Sequence, residues 1–89
     1  MTTQIKSVAM LFNPYSFARA VNYARENAGV TWAELDELVG KSVSPQLRAT
    51  MPNNTKYTST PYHPTMRTYQ AICNVLDLDP RAYFFLSDQ

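Results

Sequence analysis

Gln46 and Arg48 stand two residues apart in the segment GKSVSPQLRATMPNN, Gly40 to Asn54, and are the side chains best equipped for directional recognition in this chain. A glutamine amide offers a donor beside an acceptor, which matches the edge of adenine. An arginine guanidinium is a rigid fork of donors, which matches the edge of guanine. Ser44 and Ala49 lie on the same stretch and complete the set of candidate base contacts. Other chemistry is thin. His63 is the only histidine and Cys73 the only cysteine, too few ligands for a zinc site or a Cys–His nucleophile pair. The only two glycines, 11 residues apart, cannot build a phosphate-cradling loop. The expectation is a protein that is not an enzyme and uses no metal or cofactor, with His63 on a loop and Cys73 in the core.

Charge distribution points the same way. The net charge is only +1, but Val39 to Leu76 holds Lys41, Arg48, Lys56 and Arg67 and no acid, while the seven acids lie on either side. A cationic block between acidic ends suits a polyanion-binding surface, although a solvated face of ordinary character fits it too. At 89 residues, 45% hydrophobic and 17% charged, the chain is expected to fold as one soluble domain. No apolar run approaches the roughly 20 residues of a spanning helix. The N-terminal stretch lacks a signal-peptide pattern and a lone cysteine suits a reducing compartment, so a cytoplasmic location without membrane contact is expected.

The positioning elements are written in caps and apolar periods. Residues 1–12 form an N-terminal arm with some strand-like alternation, and residues 13–89 the domain. Asn13 and Pro14 start a first helix with Phe17, Val21, Ala24 and Ala28 on one stripe and Gly29 at its end. Thr31 and Glu34 form a capping box for a second helix, with Leu35, Leu38 and Val39 inward and Gly40 as its stop. Ser44 as N-cap and Pro45 as first residue open a third helix of about two turns that Pro52 closes. Its ridge Leu47 and Met51 faces in, and Gln46, Arg48, Ala49 and Thr50 face out. A loop follows from Pro52 to Pro64. Thr65 then caps a fourth helix with Met66, Tyr69, Ile72, Cys73 and Leu76 inward, and Asp79 with Pro80 starts a brief fifth over RAYFFL.

Two short capped helices joined by a glycine-containing turn, then a loop and a longer helix, resemble the lambda-repressor-like (Cro and repressor, or XRE) helix-turn-helix family. The resemblance spans about Phe17 to Tyr83. Thr31, Leu35 and Gly40 fill three positions of the family's second helix, Asp36 stands where the family has alanine, and HPTMRTYQAICNVLDLD (63–79) is similar to its later helix. The resemblance implies an all-α, compact five-helix domain in which the third helix enters the major groove of double-stranded DNA. With the helix reading, it makes Ser44, Gln46, Arg48 and Ala49 the base contacts. Lys41, Ser42, Asn53, Asn54, Lys56 and Arg67 are then the backbone contacts, which position rather than specify. It further implies a phage-type or mobile-element transcriptional repressor acting as a homodimer, joined through the arm or the AYFFL end. A protein-sequestering antirepressor or antitoxin-like module, bound to a regulatory protein partner, is the alternative.

Overall fold

The computed structural model describes residues 8–51 and 61–88, with side chains for 11–51 and 61–85. The Asn13 side-chain oxygen accepts from the amides of Tyr15 and Ser16, both at 3.1 Å, and Pro14 needs no acceptor, so helix α1 (Pro14–Ala28) begins there. It ends at Gly29, whose φ of 69° is left-handed. Thr31 accepts from the Glu34 amide while Glu34 accepts from the Thr31 amide, and this reciprocal cap opens helix α2 (Trp32–Val39). Helix α3 (Ser44–Thr50) stops at Met51, which is extended ahead of Pro52. Thr65 caps helix α4 (Met66–Leu76) through the Thr68 amide.

The α-helical expectation holds in its coarse form: the described chain is mostly helical, with four helices among the described residues. A fifth does not form. Asp79 accepts from the Arg81 amide at 3.0 Å and the Ala82 amide returns to the Asp79 carbonyl at 3.1 Å, which closes one turn. The chain then extends as a strand, Phe84–Asp88, paired antiparallel with Val8–Phe12; in chain order these are β2 and β1. Aromatic residues suit a pleated surface, and a ready partner strand outweighs the local cap-plus-proline signal. The segment expected as an arm is therefore, from Val8 onward, paired with the end of the chain. The Asn13 amide extends the pairing to the Tyr83 carbonyl at 2.8 Å.

The core is formed by Phe17, Ala18 and Val21 of α1, Leu35 of α2, Val43 and Leu47 at α3, and Tyr69, Ile72 and Cys73 of α4. Helices α3 and α4 each pack against both α1 and α2. The apolar stripes overreach at their ends: Ala28, Leu38 and Met66, all expected inward, are exposed, Leu38 by 59% and Met66 by 60%. The ribbon is tied down by alternation. Phe12 and Phe84 are opposite one another with ring centroids 5.3 Å apart, and Phe12 also meets Tyr69 at 5.5 Å and Phe17 at 5.6 Å. The next pair, Leu11 and Phe85, is exposed.

Candidate nucleic-acid interface

Where α3 begins is decided from another helix. Asp36 Oδ1 accepts from the Val43 amide at 3.0 Å, the Ser44 amide at 2.9 Å and the Ser44 hydroxyl at 2.8 Å. The N-cap residue proper, Val43, has no side-chain oxygen to offer, so the α2 carboxylate takes over two of the four donors a helix start leaves open. Burial works against the charge on Asp36. The bonds from the Val43 amide, the Ser44 hydroxyl and the Ser44 amide together outweigh it and hold the carboxyl below its usual range. Asp36 is thus the joint between α2 and α3.

This arrangement corrects the reading of Ser44. It is the first residue of α3 and not its N-cap, it is 5% exposed, and its hydroxyl lies 2.8 Å from Asp36 Oδ1 and 2.9 Å from the Trp32 carbonyl. An inward hydroxyl with two acceptors is not available to a base edge. Thr50 is corrected as well. It is 2% exposed, donates to the Gln46 carbonyl at 2.7 Å and accepts from the Tyr62 amide at 3.0 Å, so it fastens the end of α3 to the incoming loop.

The outer surface of α3 carries Pro45, Gln46, Arg48 and Ala49, all exposed. At 3.6 residues per turn, Gln46 and Arg48 lie about 160° apart around the helix, and Pro45 and Ala49 form the ridge between them. The face is therefore a small apolar crest with an amide on one flank and a guanidinium on the other. A thin crest lets the backbone approach a groove floor closely, while the longer flanking side chains reach edges to either side.

Lys41 and Ser42 are exposed in the turn between α2 and α3, where the Lys41 amide donates to the Asp36 carbonyl at 3.2 Å and Gly40 takes the left-handed φ of 80°. Arg67 is exposed on the first turn of α4, a different element from the crest. Asn53, Asn54 and Lys56 lie outside the described residues. The ion pairs among the described residues are Arg25–Glu26 at 3.5 Å and Arg81–Asp79 at 3.3 Å; Lys41, Arg48 and Arg67 are in neither. On the neighbouring exposed side of α2, Glu34 and Glu37 bring negative charge. Hydrogen bonds from the Thr31 amide and hydroxyl hold Glu34 below its usual range.

The chain matches no protein-family model, no curated protein and no solved structure. Three residues that sequence reasoning left out of the site belong to it. Asp36 sets the start of α3 across seven residues of chain, a non-local cap with no local signature. Pro45 was read as a helix starter and also forms half of the crest. Trp32 carries the Arg25 guanidinium carbon 4.4 Å and the Arg48 guanidinium carbon 6.0 Å from its ring centroid.

Proposed function

We propose that the protein is a sequence-specific double-stranded DNA-binding transcriptional regulator, a repressor of phage or mobile-element type, that seats α3 in the major groove. The observation that carries this reading is the outward face of α3, where exposed Gln46 and Arg48 flank the Pro45–Ala49 crest and Arg48 has no ion pair among the described residues. A helix about 10 Å across fits a groove about 12 Å wide. Gln46 addresses adenine, Arg48 guanine, and Ala49 the methyl of thymine. Lys41 and Ser42, with Asn53, Asn54, Lys56 and Arg67, serve the phosphates. The protein acts in the cytoplasm as a homodimer, and the exposed Leu11–Phe85 pair on the ribbon is the face that a second copy covers.

Selection of bound duplexes from a randomised pool, followed by titration at two salt concentrations, tests the reading. A consensus site should emerge, and its affinity should fall with salt at a log–log slope of about −5 for the three phosphate-facing cations, Lys41, Lys56 and Arg67, on each of two protomers. Failure to retain any duplex at micromolar concentrations of folded protein would exclude the role. The same ribbon face supports a second reading, capture of a regulatory protein partner by the exposed Leu11 and Phe85 side chains, which predicts binding without DNA.

A further inference from the structure

We infer that Trp32 is a positioning residue for Arg48, an aromatic platform that orders the guanidinium before DNA arrives; this rests on the DNA-reading role proposed above. Arg48 belongs to α3 and Trp32 to α2, and the guanidinium carbon stands 6.0 Å from the indole centroid, the outer limit of a cation–π contact. The ring is itself held. Arg25 lies 4.4 Å from the same centroid and is immobilised, with one guanidinium nitrogen donating to the Val30 carbonyl at 2.9 Å and another to Asn22 Oδ1 at 2.7 Å. Its charge is partly offset by Glu26 at 3.5 Å. The Trp32 carbonyl, in turn, lies 2.9 Å from the Ser44 hydroxyl. One residue thus grips α3 twice, through its main chain at the helix start and through its ring one turn later.

The consequence for recognition is geometric. A guanidinium lying over an aromatic ring keeps its N–H donors in its own plane, clear of the ring, so the fork that pairs with guanine stays available. An exposed arginine otherwise samples many rotamers, and each must be given up on binding. Trp32 removes part of that cost in the free protein. Lysine at position 48 offers neither a plane to stack nor a fork to present.

Two measurements test the platform. On the selected duplex, Trp32→Leu should weaken binding about two- to fivefold, the span of an exposed cation–π contact, and Trp32→Phe should recover most of the loss. Arg48→Ala should cost correspondingly less in the Trp32→Leu background than in the wild type. Both variants should relax preference at the same base pair. Costs that multiply independently, or no recovery with phenylalanine, would overturn the inference while leaving DNA binding intact. The second measurement needs no DNA and no change at position 32. Trp32 is the only tryptophan, so fluorescence reports on it alone. Arg48→Ala should shift its emission and increase quenching by acrylamide, and an unchanged spectrum with unchanged quenching would show that the contact does not exist. Retention of no duplex by the wild type would sink the DNA-reading role by itself.

Discussion

Replacing Asp36 with alanine removes the acceptor shared by the Val43 amide, the Ser44 amide and the Ser44 hydroxyl. The hydroxyl keeps the Trp32 carbonyl at 2.9 Å, so the two amides bear the loss. Losing an N-cap to alanine costs about 0.5–2 kcal/mol, and a buried donor left without an acceptor about 1–3 kcal/mol. Val43 is 0% and Ser44 5% exposed, so water compensates little and a loss of about 3 kcal/mol is expected. At roughly 4–8 °C per kcal/mol, thermal unfolding followed by circular dichroism should show a melting temperature lower by about 12–24 °C. Asp36→Asn keeps an oxygen but not the charge and should lose about half as much. The pH dependence has a fixed sign. The folded-state carboxyl is held lower than in the unfolded chain, so its contribution is complete above the usual aspartate range and disappears as pH falls through the lowered value. The gap between wild type and Asp36→Asn should therefore narrow below about pH 4. A loss under about 1 kcal/mol, or a gap that ignores pH, would refute the interhelical cap.

Three further outcomes are expected. Arg48→Ala should lose about 1–3 kcal/mol on the selected duplex, concentrated at one base pair, whereas uniform or absent loss in a binding titration would remove Arg48 from the reading set. Phe12→Ala should destabilise by about 2–4 kcal/mol in urea unfolding, because Phe12 joins the ribbon to Phe17, Tyr69 and Phe84, and a loss near zero would mean the ribbon is not docked. Cys73 is 2% exposed, and burial pushes its thiol above the usual range, with the Tyr69 hydrogen bond opposing. Ellman's reagent should therefore react with Cys73 only on unfolding, and rapid reaction with the native protein would contradict the packing of α4.

The helix boundaries were legible because their chemistry is local. Asn13, Thr31 with Glu34, and Thr65 each bond an amide no more than three residues away, a distance that sequence reading sees directly. The inward stripes were legible at their centres, Phe17, Val21, Leu35, Leu47 and Ile72, and failed at Ala28, Leu38 and Met66, since periodicity gives a face and not the extent of what covers it. The ribbon was hidden because its two strands lie at opposite ends of the sequence, and nothing in RAYFFL announces a partner near residue 10. Asp36 illustrates the same limit within the candidate site. Nothing local to its own helix marks it, yet its bonds go to the next one. The exposure of Gln46, Arg48 and Ala49 followed from the Leu47 and Met51 ridge, while Ser44 and Thr50 are buried because Asp36 and the loop at Tyr62 claim them.

Groove entry by α3 is tested most directly by amide and side-chain chemical-shift mapping of isotope-labelled protein titrated with the selected duplex. The largest shifts should fall on Gln46, Arg48, Ala49 and the Trp32 indole N–H, with lesser ones at Lys41 and Ser42. Shifts centred instead on the ribbon around Leu11 and Phe85, with α3 unmoved, would contradict the proposed role of α3.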